Sequence, residues 1–330
     1  LTSMSQSVDE RNSIQSIKSI ATYAGVGITS TLATVLVSEK VGMNYGMISV
    51  IICVIAFALM SPASFKLKER FHAESDETFT IRSMFSYLFK NKYLFIYYLG
   101  LFFYSSLSIG NAFTLYVSYY LFNSALFSIL VGAIGTVPQL LISLMLPKII
   151  RKYDKMQVNQ ICLLLYVVLS VIMWFVGYGN AVVYIILFTI RSIPLAVVSL
   201  EMFMFTPDCA EYGRFKSGTE AKGITFAVQT FMAKLTGSIS GTLGNLLLPL
   251  IGLSFVQISA TETMTVKAYD YTDTLIWGMF TLAPAILGLL PLIPYIWYDL
   301  TGEKLQQVRE EMAERRTALS AEVSGGGENE

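Results

Sequence analysis

A hydrocarbon layer of roughly 30 Å is crossed by a helix of about 20 apolar residues. This sequence holds eight such runs, at about 16–37, 43–65, 93–122, 125–146, 158–178, 181–206, 223–252 and 275–298. Nothing constrains the chain more, because a backbone in lipid must satisfy its own hydrogen bonds and does so only as helices or closed barrels. A barrel would alternate apolar and polar residues over segments of about 10, and these runs do not alternate. With 54% hydrophobic and 14% charged residues gathered into blocks, the composition argues against a soluble core. The expectation is an all-α integral membrane protein with eight transmembrane helices.

Charge sets the expected orientation. Of the 23 basic residues only Arg191 and Lys234 fall inside the deep runs. Nineteen others lie in one set: Arg11 and Lys18 at the start, the 66–92 loop, the 147–156 loop, the 207–222 loop and the tail. The opposite set holds Lys40 and Lys267 alone. By the positive-inside rule the first set is cytoplasmic, so both ends of the chain are expected there and the span count is even. That describes a multi-pass protein of the cell membrane, plasma or inner. A formal net charge of zero gives no reason to expect nucleic acid.

Loop lengths set the expected organisation. The 66–92 loop is long, basic and carries the single histidine, His72. It divides the chain into two spans before and six after, and six is the size of half a transporter built from two repeats around a midplane site. Within it "MFSYLFKNKYLF" reads as a helix lying along the cytoplasmic face and feeding the third span. In the tail, Leu305, Val308 and Met312 recur at helical spacing amid charge. A short amphipathic helix is expected there, solvated and lying against the cytoplasmic surface, with a disordered end after Ser324.

Catalytic chemistry finds little to work with. One histidine excludes most histidine-based triads and metal sites, no Gly-rich loop is followed by Lys-Ser or Lys-Thr, and "GSISG" at 237–241 lacks the serine placement of a nucleophile elbow. Cys53, Cys162 and Cys209 are far apart, without metal-ligand or disulfide spacing, and read as packing residues. No resident cofactor or metal is expected. The chain opens on Leu1 in a polar segment with no signal peptide, and reads as a fragment whose front has been removed.

Charges inside spans carry more information. Lys234 lies 12 residues past Lys222, about 18 Å along a helix, too deep to reach back to the interface with ease. An ammonium at the centre of an isolated span costs about 2.5–3.5 kcal/mol on insertion scales, so Lys234 should face protein or a water-filled cavity and want a carboxylate. Glu201 is the acid within a span, but lies only about 9 Å above Pro207, nearer the cytoplasm than Lys234. Arg191, ten residues before Glu201, is about 15 Å from it along the axis and cannot pair with it directly. Arg191 and Glu201 are either register-holding charges or cavity-lining groups.

Thr230 and Lys234 are four residues apart and share a helix face, with Gln229 alongside. Such a polar stripe suits a sugar hydroxyl or a cation network. Gly237, Gly241 and Gly244 follow at spacings that let a neighbouring helix approach, and packing accounts for them. In the third span Ser105, Ser108, Asn111 and Thr114 recur at three-residue steps, a stripe for interhelical hydrogen bonds or for lining a cavity.

The stretch "DCAEYGRFKSGTEAKG" followed by "ITFAVQTFMAKLTGS" resembles the loop and eleventh helix of the glycoside-pentoside-hexuronide cation symporters, the major facilitator branch that contains melibiose permease. Asp208, Glu211, Tyr212, Gly213, Phe215, Lys216, Gln229, Thr230 and Lys234 match that family's pattern in order. "FKNKYLFIYYL" is similar to the family's approach to helix seven, and "SVDERNSIQS" to its loop between helices four and five. The sequence departs at "GTEAKG", where Glu220 and Lys222 exchange the two signs of the usual Gly-x-Arg-x-Glu-Gly.

The resemblance implies a major facilitator fold in which this chain supplies helices five to twelve of twelve. Residues 1–65 would then end the N-terminal six-helix half, 66–92 join the halves, 93–298 form the C-terminal half and 299–330 the tail. It further implies a sugar or glycoside substrate, a coupling cation (Na+, H+ or Li+), alternating access and a single-chain transporter in the bilayer. Gln229, Thr230 and Lys234 would serve substrate and coupling. Asn111, Ser108, Arg191 and Glu201 could line the cavity. Asp208, Glu211, Tyr212, Arg214, Glu220 and Lys222 would belong to a cytoplasmic gate. The carboxylate partners of Lys234 would sit on the first four helices. Two rival readings stand: a lysolipid or other amphiphile transporter of the same fold, and a non-transporting membrane sugar sensor.

Overall fold

The computed structural model describes residues 8–37, 45–66, 80–124, 127–202, 204–217, 222–257, 263–267, 269–312 and 314. Helices α1 (Val8–Val37) and α2 (Tyr45–Lys66) precede a short α3 (Ile81–Lys90). An interrupted span follows, made of α4 (Lys92–Ser105), α5 (Ser108–Ala112), α6 (Thr114–Tyr116) and a π-helical turn at Val117–Leu121. Then come α7 (Phe127–Lys152), α8 (Lys155–Val176), α9 (Ala181–Glu201), α10 (Phe205–Ser217) and α11 (Lys222–Leu250). Strands β1 (Leu253–Gln257) and β2 (Thr263–Lys267) lead to α12 (Thr272–Leu287) and α13 (Leu292–Tyr295). A last helix, α14, covers 302–312.

Five stretches among the described residues are long and apolar enough to cross a membrane: Lys92–Leu121, Leu130–Lys152, Lys155–Val176, Ala181–Lys216 and Thr272–Tyr295. The other three expected runs are also helical, in α1, α2 and α11 with 30, 22 and 29 residues. At about 1.5 Å per residue each is long enough to span. The described apolar stretches in α1 and α2 are shorter, Ile20–Thr29 and Gly46–Ser61, so the count of eight stays an expectation.

On α8, Ile161, Leu164, Leu165, Val168, Ile172 and Phe175 fall on one face and are exposed. A contiguous apolar stripe of this kind is what a soluble fold buries and a lipid-facing helix presents. Polar side chains at the helix ends close the orphan backbone donors: Asp154 caps α8 at 2.9 and 3.2 Å, and Asn180 caps α9 at 2.9 and 3.3 Å. A cap of this type contributes about 1 kcal/mol. The connections on either side of α8 are therefore tight, and α8 packs along α9, which packs on its other side against α7.

The two larger of three apolar cores among the described residues lie towards opposite ends of the helices. One joins α3, α4, α8, α10 and α14 around Tyr93, Tyr97, Tyr98, Phe205 and Tyr298. The other gathers Phe113, Tyr184, Trp277 and Phe280 from α5 to α12. Helix α5 comes so close to α12 that a Cβ at Gly110 would sit 2.6 Å from the Pro284 ring. Only glycine allows that approach, and it occurs where the span breaks.

Two features depart from the sequence reading. The connection between α11 and α12 folds as an antiparallel hairpin, with Leu253 opposite Lys267 and Gln257 opposite Thr263. A search for runs of 20 apolar residues is blind to a strand of five. The tail helix is not a solvated appendage: Leu305 and Val308 are buried in the first core and Met312 packs against it. The helical spacing was legible, but the surface awaiting it was not. The expected disordered end after Ser324, and His72, lie outside the described residues.

Candidate functional site

Helix α11 packs on α3, α4 and α5, which leaves another of its faces open. Thr230, Lys234, Gly237, Ser238 and Gly241 are exposed there, and Gln229 is half-buried beside them. Lys234 stands near the middle of the 29-residue helix, about 18 Å from its first residue. It makes no ion pair among the described residues. Thr230 and Lys234 thus share an exposed side of α11, with the apolar Phe231 and Leu235 exposed next to them. The glycines divide: a Cβ at Gly244 would meet the Ala112 Cβ at 3.2 Å, whereas Gly237 and Gly241 meet nothing within 4 Å. Packing therefore accounts for Gly244 alone, because among the described residues no helix covers the other two.

Next to α11 runs the broken span. The serine stripe falls at its interruption, with Ser108 exposed at the start of α5, Ser105 and Thr114 half-buried on either side, and Asn111 within α5. The Asn111 side chain lies outside the described residues. Ser105 Oγ donates to Phe102 O at 2.6 Å and Ser106 Oγ to Phe103 O at 2.5 Å. These serines bind their own helix beside the break at the Ser106–Leu107 turn.

Arg191 and Glu201, offered above as cavity-lining or register-holding charges, are both in the packed interior. Arg191 is 4% exposed. Its guanidinium lies 4.4 Å from the centroid of Phe280, 5.5 Å from that of Tyr166 and 5.7 Å from that of Phe188, and Nη1 donates to Phe280 O at 3.0 Å. Stacking on π-faces is how a weakly hydrated guanidinium tolerates such a place. Packing between α9 and α12 explains it. Glu201 is fully buried at the end of α9.

Two of the residues assigned above to a gate, Asp208 and Glu211, meet on α10. Asp208, 2% exposed, pairs with Lys155 of α8 and accepts from Arg309 Nη2 of α14 at 3.1 Å. Arg309 Nε also donates to Glu211 Oε2 at 2.7 Å. Burial works against the Arg309 charge, but Glu211 and Asp208 together hold its pKa above the ordinary value. Tyr212 stacks edge-on to Tyr93 with centroids 4.5 Å apart, and Arg214 is half-buried on the same helix. Glu220 lies outside the described residues, as does the side chain of Lys222 at the start of α11. The cluster draws α8, α10 and α14 together.

Lys155, Arg309 and Asn91 complete this cluster and were not singled out in the sequence. Asn91 caps α4 and donates from Nδ2 to Cys209 O at 2.8 Å. A basic residue beside the Leu305, Val308 and Met312 stripe was the one available signal for Arg309. Beyond it, Gly302 N donates to Asp154 Oδ2 at 3.1 Å, and Lys304 Nζ to Asp299 Oδ2 at 2.5 Å. The Arg309 and Gly302 contacts fasten the tail to the end of the bundle.

Residues 1–302 match the family described as "MFS/sugar transport protein". Among curated relatives, a "Glucuronide carrier protein homolog" of Escherichia coli (strain K12) is 24% identical over 226 residues, 67% of this chain and 46% of the relative. A "Putative sulfoquinovose importer" of Salmonella typhimurium (strain LT2) is 24% identical over 173 residues, 52% of this chain and 35% of the relative. An "Inner membrane symporter YicJ" of Escherichia coli (strain K12) is 30% identical over 151 residues, 44% and 30% of the two chains. The chain spans less than half the length of each of these three relatives. With the family match running through nearly every described helix, the chain belongs to the MFS/sugar transport family, membrane transporters and not enzymes, as the pattern from Asp208 to Lys234 implied.

Proposed function

We propose that the protein is a cation-coupled symporter of a sugar or glycoside that works by alternating access. The observation that carries this reading is the open polar face of α11, where Thr230 and Lys234 are exposed at mid-helix beside an interrupted span. An ammonium at that depth against lipid would cost about 2.5–3.5 kcal/mol. Water, substrate or carboxylates on a facing half remove that cost. Interrupted helices at mid-membrane are where transporters build their sites.

In this reading Gln229 and Thr230 meet sugar hydroxyls, and Lys234 holds or competes for the carboxylates of the coupling cation, Na+, H+ or Li+. Cation and sugar then favour each other's binding. The 66–92 segment joins two halves that rock about the site, both ends of the chain are cytoplasmic, and one chain forms the transport unit. Asp208, Glu211, Tyr212, Arg214, Glu220 and Lys222 serve the cytoplasmic closure. The names of the relatives suggest hexuronides and sulfonated sugars as the first cargo to try.

The test is uptake into proteoliposomes holding the protein with whatever flanking sequence its gene encodes. Labelled galactosides, pentosides, hexuronides and sulfoquinovose are offered under imposed Na+ or H+ gradients. Accumulation of one of them against its gradient supports the reading. Uptake of a lysolipid, insensitive to competing sugars, would replace it with an amphiphile transporter.

A further inference from the structure

Glu201 has 0% exposure, and neither carboxylate oxygen has a hydrogen-bond partner among the described residues. Its polar neighbours are Asn159, Lys155 and Asp154, all from the start of α8. Asn159 is itself 1% exposed, and its Oδ1 is also without a donor. The two carboxylate oxygens and Asn159 Oδ1 thus lack a hydrogen bond of good geometry, although the Asn159 side chain is close enough to act on the carboxylate. Leaving a buried polar group unpaired costs about 1–3 kcal/mol, and a buried unpaired charge costs more. A single proton removes both problems, because a carboxylic acid can donate to Asn159 Oδ1.

The surroundings supply a means of taking that proton away. Lys155 is near enough to act electrostatically on Glu201, while its Nζ is paired with Asp208 and donates to Met204 O at 3.3 Å, three residues beyond Glu201. Asp208 has a second partner in Arg309, so it can release Lys155 without becoming a buried lone charge. Among the described residues the remaining elements bring no other counter-charge. From α8 come Asp154 and the Cys162 thiol, and from α13 the Tyr295 hydroxyl. From α4, Tyr97 donates to Met202 O, and from α7 the apolar Leu146 packs with Leu200 and Met204, which flank Glu201 in sequence.

We propose that Glu201 is a proton-binding site, neutral in this conformation, and that Lys155 discharges it by turning from Asp208 to Glu201. The Glu201 O–H bond breaks, the proton passes to water at the cytoplasmic end of the bundle, and the ammonium pairs with the carboxylate left behind. The proton is taken up again when Lys155 returns to Asp208. The site lies in the α8, α9 and α13 packing, apart from the open face of α11. It does not depend on what the cargo is.

Infrared spectroscopy of the purified protein in lipid reads this directly, through the C=O stretch of a protonated carboxyl group. Wild type should show one such band at neutral pH that Glu201→Gln, close in size to the neutral acid, lacks. The midpoint of its titration should fall by about one to three pH units in Asp208→Asn, which frees Lys155, and rise in Lys155→Gln. An identical band in wild type and Glu201→Gln overturns the site. A midpoint unmoved in both Asp208→Asn and Lys155→Gln overturns the switch, and this comparison stands even where Glu201→Gln does not fold. A band abolished by Na+ at constant pH shows a metal cation in place of the proton and overturns the assignment.

Discussion

Arg309 Nη2 reaches Asp208 Oδ1 at 3.1 Å, across 101 residues of sequence. The contact joins the last described helix to the loop helix α10, and a second bond from Arg309 to Glu211 fixes its direction. The side chain of Arg309 is 41% exposed whereas that of Asp208 is 3% exposed. Desolvation therefore falls more heavily on the acid, and the acid is the partner that suffers more when the contact is cut.

Arg309→Met keeps most of the apolar stem and removes the charge. Asp208 retains Lys155 and Glu211 turns to water, so the expected loss of stability is about 1 kcal/mol rather than the larger cost of an orphaned buried ion. Denaturant unfolding in detergent gives that number. Hydrogen exchange across 302–312 should speed up at the same time; protection unchanged from wild type would mean that Leu305 and Val308 hold the helix without the ion pair.

Acid should loosen the start of the tail, where Asp299 and Lys304 pair within it. The Lys304 hydrogen bond depresses the Asp299 carboxyl below its ordinary value of 3.8, and the same pair raises the Lys304 ammonium. A folded pKa below the unfolded one means stability that is fully present above the ordinary carboxylate range and lost as pH falls through the folded value. At the alkaline end the sign reverses for Lys304, whose raised folded pKa gives stability present below its ordinary value and lost as pH rises through the folded one. In Asp299→Asn both dependences should vanish, as measured by tail exchange rates against pH.

Gly100→Ala tests the packing of α4 on α13. A Cβ at Gly100 would collide with the Tyr295 ring, and Tyr295 is 3% exposed with little room to turn. Overpacking at such a position costs about 1–3 kcal/mol. A thermal scan of the variant in detergent should show a lower midpoint, with the exposed-face variant Gly237→Ala near wild type because nothing lies within 4 Å of its added methyl.

Legibility followed length scale. A helix that must cross about 30 Å of hydrocarbon announces itself in 20 consecutive residues, so α7, α8, α9 and α12 were readable from hydropathy. The Asp208 to Lys234 pattern marked the polar face of α11 because polar residues at mid-span are rare enough to be noticed. The break at Ser106–Leu107 was not readable, and neither was the approach of Gly110 to Pro284, from a helix more than 160 residues later. Lys155 and Arg309 were hidden for the same reason: each looks like an ordinary surface base until three elements converge on Asp208. Arg191 shows the reverse, since its cost in the membrane was plain in the sequence but the rings that offset it were not.

Lys234→Ala separates function from stability. The side chain is exposed on the open face of α11 and makes no ion pair among the described residues, so its removal should change unfolding free energy by no more than about 0.5 kcal/mol. Uptake is expected to respond differently: accumulation driven by the cation gradient should be lost, and sugar binding should cease to depend on the cation. Lys234→Arg keeps the charge but not the compact, strongly hydrated ammonium, and should recover binding more than coupling. Loss of stability in step with loss of uptake would identify Lys234 as a structural charge. Unchanged uptake with unchanged cation dependence would remove it from the site altogether, and with it the reading of α11 as the wall of the transport path.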